Sequence, residues 1–368
     1  MSNITDFRRY NIFIFFTTFA KALIEVFIPI ILYKQGYDIR SILLFLVMVF
    51  IINIIITPIA NSIGNKTSFK TLAFLSSFFF IGMYYVLQEK NVLFLIALLY
   101  SINTTLYYLA RHNYAANVLK KKVGGGVGIV MIIAILATMP AVLIGSLLVT
   151  RLSVWLVISI ALIIYLIGII PLNKINVVTH RHTKILQTLK MIPRRNILFF
   201  AFVQFRTILF FLFPLYIFIN IKGRLEFIGI INIIVGIASI IFIYFYSRRI
   251  DKKKKDYMLI ASIFLSSILF IEVRFATAFI LLFTSFFEGI AIRMYEVSIT
   301  RDLYLIPKKI DKSCYFLALE LINNGVKLLI VLTLFILNFS LYTMLIILII
   351  GIFMSGLIKY QTPKEMGV

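Results

Sequence analysis

Long apolar stretches, each about as long as a membrane is thick, constrain this sequence more than any other feature. Two of them are "NILFFAFVQFRTILFFLFPLYIFINI" (196–221) and "LYTMLIILIIGIFMSGLIKY" (341–360). A helix needs about 20 such residues to cross the hydrocarbon core of a bilayer. Hydrophobic residues make up 62% of the 368 residues, compared with roughly 45–50% in soluble domains. The polarity does not alternate as in membrane β-strands, so the sequence predicts an all-α polytopic membrane protein.

The apolar stretches predict about twelve transmembrane helices, which we number as spans 1 to 12. Their expected ranges are 11–33, 41–60, 68–87, 91–112, 126–149, 152–171, 197–220, 227–247, 257–272, 276–298, 314–337 and 340–359. With the N-terminus inside, the inner segments hold 27 of the 37 basic residues and the outer loops hold seven. Lysine and arginine accumulate on the cytoplasmic side of membrane proteins. We therefore expect a multi-pass protein of the cell membrane with both termini in the cytoplasm.

The strong positive charge does not require a nucleic-acid partner. The net charge is +23, but the basic residues lie in loops where they contact anionic lipid headgroups. The run "DKKKKD" (251–256) has no aromatic residues among its lysines, which argues against a nucleic-acid surface. The single cysteine, Cys314, excludes an intramolecular disulfide and a cysteine-based metal site. His180 and His182 lie in a basic loop and are interpreted as solvated, so no metal site is expected.

The sequence offers no enzyme motif. There is no nucleophile motif and no metal-binding cluster, and "VGGGVG" (123–128) lacks the Lys-Ser/Thr ending of a phosphate-binding loop. We expect no catalytic residues, no cofactor and no enzymatic activity.

The chain divides into two similar halves at its longest hydrophilic connection. This predicts an N-terminal six-helix bundle (1–171), a basic cytoplasmic linker (172–196) and a C-terminal six-helix bundle (197–368). Within span 1, Lys21 precedes Pro29 by eight residues, and within span 7, Arg206 precedes Pro214 by eight. We interpret the correspondence as a 6+6 pseudo-repeat, a common plan among transporters.

Twelve spans, a basic central loop, cytoplasmic termini and a parallel 6+6 repeat resemble the major facilitator superfamily over nearly the whole chain. The family has a Gly-x-x-x-Asp-Arg-x-Gly-Arg-Lys loop after its second span. The equivalent here, "TPIANSIGNK" (57–66), keeps Gly64 and Lys66 but has Asn61 and Ser62 in place of Asp and Arg. The resemblance implies a secondary transporter whose spans 1, 4, 7 and 10 line a central cavity. Loss of the Asp puts the ion-pair gate of that loop in doubt.

Polar residues within the spans are the candidate site, since charges in hydrocarbon cost about 2.5–3.5 kcal/mol each and are usually functional. The candidates for cavity or substrate binding are Lys21, Asn103, Tyr107, Gln204, Arg206, Glu288 and Lys327. The candidates for proton coupling are Glu25, Glu288 and Glu320. The candidates for gating at the inner ends are Asn61, Gly64, Lys66, Arg111 and Arg293. Structural roles remain open for several of them. Glu25 can neutralise Lys21, and Glu320 and Lys327 can brace span 11 against a neighbour. Arg111 and Arg293 can be anchors at the inner interface.

These residues favour a secondary active transporter that moves a small solute by alternating access. Lys21 and Arg206 would bracket an anionic or zwitterionic substrate, and a glutamate such as Glu25 would exchange a proton as access alternates. The alternative is a multidrug or lipid and amphiphile exporter on the same fold, in which Glu25 attracts a cationic solute. The expected partners are the bilayer, the small-molecule substrate and H⁺, and the expected state is a monomer.

Overall fold

The computed structural model describes residues 2–66, 68–87, 89, 91–118, 123–151, 154–175, 194–253, 257–304 and 312–360. Over these residues the chain is helical and confirms the twelve predicted spans. Most of the predicted linker, 176–193 with His180 and His182, and the basic run at 120–122 lie outside the described residues.

The described helices extend several predicted spans toward the loops. Span 1 comprises Ser2–Ala22, a 3₁₀ turn Glu25–Phe27 and a short helix Ile28–Lys34; the others are Ile39–Lys66 (span 2), Phe69–Val86 (3), Leu93–Val118 (4), Val123–Arg151 (5), Val154–Ile169 continued by a 3₁₀ turn Ile170–Lys174 (6), Arg194–Asn220 (7), Leu225–Lys253 (8), Met258–Arg274 (9), Ala278–Tyr304 (10), Lys312–Leu337 (11) and Leu341–Tyr360 (12). Eleven of the described spans are long and apolar enough to cross a membrane by themselves, and span 9 has only 17 residues.

The packing of the spans repeats in the two halves. In the N-terminal half span 1 packs on spans 5 and 6, and span 4 packs on spans 2 and 3. In the C-terminal half span 7 packs on spans 11 and 12, and span 10 packs on spans 8 and 9. Adding six to each span number of the first set gives the second set. The all-α fold is therefore two six-helix bundles related by the pseudo-repeat.

Two long helix pairs join the halves: span 5 with span 8, and span 2 with span 11. The pseudo-repeat relates the two pairs to each other, because span 5 corresponds to span 11 and span 2 corresponds to span 8. Small residues let the backbones approach closely. A Cβ atom added to Gly229 of span 8 would lie 2.9 Å from the Cα of Leu143 in span 5. Only glycine fits at this contact.

Span 1 is broken, although the sequence predicts a continuous helix over 11–33. Pro29 has no N–H group for the carbonyl of Glu25, and that carbonyl instead accepts from the N–H of Ile28 in a 3₁₀ turn. The break lies against span 5, where a Cβ atom at Gly145 would overlap the carbonyl oxygen of Leu23. Gly145 thus gives the displaced backbone of span 1 the room that it needs.

Candidate functional site

A cavity of about 360 Å³ lies between the two halves. It is lined by spans 1, 4, 5, 7 and 10, through Tyr10, Tyr108, Arg111, Ala115, Val127, Val130, Met131, Ala134, Ile135, Thr138, Arg206, Arg293, Glu296, Ile299 and Thr300. Tyr10 is near the start of span 1, Val127 near the start of span 5, and Thr300 near the end of span 10. Since the spans alternate in direction, these residues share the side that holds the N-terminus and the linker. We call it the linker side.

The wall of the cavity carries a cluster of two arginines around one carboxylate. Glu296 of span 10 accepts a hydrogen bond from Arg206 of span 7 through Oε1 and from Arg293 of its own helix through Oε2. Arg293 and Glu296 are three residues apart, so they share one face of span 10. The Arg206–Glu296 ion pair links spans 7 and 10 within the C-terminal half.

The two guanidinium groups of the cluster are held differently. Arg293 donates from Nε to the hydroxyl of Ser239 in span 8, at 3.3 Å, and Ser239 donates to the carbonyl of Gly289. The Nε of Arg206 is buried and has no acceptor among the described residues. Its guanidinium carbon lies 5.8 Å from the ring centroid of Tyr295. Arg206 therefore keeps one hydrogen-bond donor open.

The lining is positively charged overall. Arg111 of span 4 joins Arg206 and Arg293, and Glu296 is the one acidic residue among the described lining residues. The guanidinium carbon of Arg111 lies 6.0 Å from the ring centroid of Tyr108, at the distance of a cation–π contact. Charges in a water-excluding environment interact more strongly than in bulk water. The cavity is thus suited to attract an anion.

Lys21 lies in a separate, deeper cluster beside the break in span 1. Its side chain is 6% exposed and pairs with Glu25 at 2.9 Å, four residues along the chain. Its Nζ also donates to the Oδ1 of Asn103 at 3.3 Å and lies 4.4 Å from the ring centroid of Tyr107. Of the seven residues predicted to line the cavity or bind substrate, only Arg206 lines this cavity.

Polar residues also connect the halves where span 2 meets span 11. Asn53 donates to Asn324 at 3.5 Å and accepts from Thr105 of span 4 at 2.9 Å. Within the C-terminal half, Gln204 of span 7 donates to Asn323 of span 11 at 2.9 Å. Lys327 lies with its Nζ 5.7 Å from the ring centroid of Phe50 in span 2. The polar residues Asn323 and Asn324 of span 11 therefore contact neighbouring spans, and Lys327 lies near span 2.

Glu320 pairs across the halves with a histidine. Its carboxylate lies 3.5 Å from the Nε2 of His112 in span 4. The imidazole stacks on Phe316 of span 11, with 5.2 Å between ring centroids. The structural interpretation, in which Glu320 braces span 11 against a neighbour, thus has a partner in His112 of span 4.

Glu288 is buried in span 10, one turn beyond Thr284, and makes no ion pair with the described residues. Thr284 donates to Glu272 of span 9 at 2.6 Å. The second carboxylate oxygen of Glu272 is buried without a hydrogen-bond partner in the part of the chain that the structure describes. Two carboxyl groups are therefore gathered at the contact of spans 9 and 10.

The segment after span 2 that holds the predicted gating residues is helical. Asn61 is buried and Lys66 is exposed, and both belong to the last turns of span 2. A Cβ at Gly64 would lie 2.8 Å from the ring of Phe69 and 2.9 Å from Leu72. Gly64 thus lies at a tight contact between the ends of spans 2 and 3, where a larger residue would require the side chains of Phe69 and Leu72 to move.

Sequence reasoning missed several residues of these clusters, namely Tyr108, His112, Glu272 and Glu296. Glu296 left a local signal, since it follows Arg293 by three residues. Its contact with Arg206 spans 90 positions in the sequence, and no local pattern reveals such a contact.

Twelve spans in two pseudo-symmetric halves, with a charged cavity between them, define the architecture of a membrane transporter. The Major Facilitator Superfamily model matches residues 11–301, and the chain belongs to that family. Members of the family are transporters and not enzymes. The sequence comparison with curated proteins gives no match.

Solved structures share the fold at low sequence identity. The crystal structure of the human organic anion transporter MFSD10 (TETRAN) aligns with a TM-score of 0.70 and 11% identity, covering 97% of this chain and 99% of that one. A crystal structure of the E. coli fucose:proton symporter, FucP, aligns with a TM-score of 0.67 and 12% identity, covering 99% of this chain and 100% of that one.

Proposed function

We propose that this protein is a secondary active transporter that moves a small anionic or zwitterionic solute through the cavity between its halves. The observation that carries the proposal is the lining, in which Arg111, Arg206 and Arg293 face a single carboxylate, that of Glu296. Arginine binds carboxylate and phosphate groups through paired hydrogen bonds. The excess of positive charge disfavours the cationic solute that the alternative of a multidrug exporter requires.

Coupling to protons is the second part of the proposal, and two glutamates are its candidates. Glu288 is buried without an ion pair among the described residues, so it can exchange a proton without breaking one. Glu25 is paired with Lys21 beside the break in span 1, and discontinuous helices often mark coupling sites in transporters. The two structural neighbours, an organic anion transporter and a fucose:proton symporter, are compatible with this pairing of substrate and ion.

Uptake into liposomes tests the transport function. The purified protein is reconstituted, and accumulation of radiolabelled anions is measured with and without an inward proton gradient. Arg206→Ala should lower uptake by at least about tenfold, because a hydrogen bond to a charged group contributes about 1.5–3 kcal/mol. Arg224→Ala, at an exposed arginine of a loop, is the control and should transport normally. Equal uptake by both variants would show that the cavity arginines do not bind the solute.

The proton-coupling candidates are separated by the same assay. Glu25→Gln or Glu288→Gln should abolish accumulation driven by the gradient while sparing exchange of labelled for unlabelled solute. The variant that does so identifies the coupling residue. If both variants accumulate solute normally under a proton gradient, neither glutamate couples transport to protons.

We further propose that the linker side faces the cytoplasm of a cell membrane, on the basis of the distribution of basic residues. A cysteine at position 185, with the buried Cys314 replaced by serine, tests this orientation in intact cells. An impermeant maleimide should fail to label it from outside, and efficient labelling would reverse the topology.

A further inference from the structure

Glu296 occupies the space between two arginine side chains on the cavity wall. Each of its carboxylate oxygens accepts from a different arginine, Oε1 from Arg206 and Oε2 from Arg293. The three side chains are 19–21% exposed, so the cluster is shielded from bulk water but still open to the cavity. A carboxylate in this position is bound as a ligand carboxylate would be.

Arg206 has more hydrogen-bonding capacity than Glu296 uses. Its buried Nε–H has no acceptor in the part of the chain that the structure describes, whereas the Nε of Arg293 donates to Ser239. An open donor buried beside a cavity costs free energy unless a ligand or water satisfies it. Arg293 is thus fixed by the protein, and Arg206 has a donor left for an incoming group.

We propose that Arg206 and Arg293 form the subsite for an oxyanion group of the solute, a carboxylate or a phosphate, and that Glu296 fills this subsite as an internal ligand until the solute displaces it. The proposal rests on the transport function above and gives it a substrate group and a place of binding.

Charge and geometry both support the exchange. Two arginines without a counterion are costly inside a membrane, and Glu296 neutralises one of their two charges when the solute is absent. A solute carboxylate or phosphate offers the same acceptor atoms to the same two guanidinium groups. It can also accept from the Nε of Arg206. Arg111 adds attraction from the opposite wall, and about 360 Å³ accommodates the remainder of a small solute.

Binding to the purified full-length protein tests the proposal with four probes: succinate, lactate, inorganic phosphate and glycerol 3-phosphate. Glu296→Gln removes the competing carboxylate and should lower the Kd of the preferred probe by about tenfold. Arg206→Gln and Arg293→Gln should each abolish binding. Glu226→Gln makes the same chemical change outside the cavity, in the first turn of span 8, and should bind as wild type. The comparison of succinate and lactate with the two phosphates identifies the oxyanion.

The proposal is overturned if folded Glu296→Gln binds the probes no more tightly than wild type, or if no probe binds either protein. If Glu296→Gln does not fold, the wild-type protein provides the measurement. Modification of Glu296 by a hydrophobic carbodiimide, followed by mass spectrometry, should rise when a probe displaces the side chain. Unchanged or lower modification at a saturating probe concentration also overturns the proposal.

Failure of this proposal is distinguishable from failure of the transport function. If liposomes accumulate a probe but Glu296→Gln and Arg293→Gln bind it as wild type does, transport stands and the subsite is wrong. If the variants bind as expected but liposomes show no uptake, the subsite stands and the transport function is wrong.

Discussion

Spans 1 and 7 occupy equivalent positions in the two halves, but they use their intramembrane cations differently. Lys21 of span 1 pairs with Glu25 of its own span and is almost fully buried. Arg206 of span 7 pairs with Glu296 of span 10 and lines the cavity. The helix around Lys21 is interrupted, while span 7 is continuous through Pro214. A proline eight residues after a cation therefore does not by itself break a span.

The two cations differ in where their ion-pair partners lie. In span 1 the cation is neutralised locally and holds together a break in the helix. In span 7 the partner of the cation belongs to another helix, and both side chains line the cavity. The repeated sequence pattern thus places one cation in a local ion pair beside a helix break and the other on the cavity wall.

Removal of Lys21 is the change with the largest expected effect on stability. Lys21→Met leaves the carboxylate of Glu25 without its cation, and breaking a buried ion pair costs about 3–5 kcal/mol. We expect the lower end of this range, because the side chain of Glu25 is 22% exposed. Thermal unfolding in detergent measures the loss. The double variant Lys21→Met/Glu25→Gln should recover most of the lost stability. No recovery would mean that Lys21 stabilises the protein through Asn103 or Tyr107 instead.

The break in span 1 is tested by its neighbour in span 5. Gly145→Ala places a Cβ atom against the carbonyl oxygen of Leu23, closer than two atoms can approach, so the two helices must separate. Such overpacking costs about 1–3 kcal/mol. Gly325→Ala in span 11 is the control, because an added Cβ meets no atom within 4 Å there, and its unfolding temperature should stay the same or rise slightly. Equal stability of both variants would show that span 1 does not need Gly145.

The smallest expected effect concerns the first turn of span 2. Asp38 accepts from the N–H of Ser41 at 2.8 Å as an N-terminal cap, whereas span 8 begins after Arg224 without an acidic cap. The hydrogen bonds from Ser41 hold the pKa of Asp38 below its ordinary value of 3.8. The ionised carboxylate of Asp38 therefore stabilises the folded protein at a pH above 3.8. This contribution is lost as the pH falls through the lower pKa that Asp38 has in the folded protein.

Substitutions at Asp38 separate its cap from its charge. Asp38→Ala should lower stability at pH 7 by about 1 kcal/mol, while Asp38→Asn should retain the cap because asparagine is also a good N-cap residue. The difference between wild type and Asp38→Asn should shrink when unfolding is measured below about pH 4. A difference that does not depend on pH would remove the charge of Asp38 from the explanation.

Much of this protein was predictable from sequence, because the strongest local signals are also the ones that decide the fold. An apolar run of about 20 residues has to cross the membrane as a helix, since its backbone groups find no other partners in hydrocarbon. The count of twelve spans, the two halves and the family resemblance all follow from the order of such runs. Prolines and charges within them marked Lys21, Glu25 and Arg206 as unusual.

The tertiary structure decided which of these residues share a site. Whether a mid-span cation is neutralised by its own helix or faces a cavity depends on the rotation and the neighbours of each helix. Arg206 meets Glu296 across 90 positions, and Glu320 meets His112 across the two halves. A local sequence pattern fixes what a helix must bury, but the partners are fixed only when all twelve helices pack. For this reason the sequence by itself determined the membrane fold, and the packing alone determined which charged side chains line the cavity.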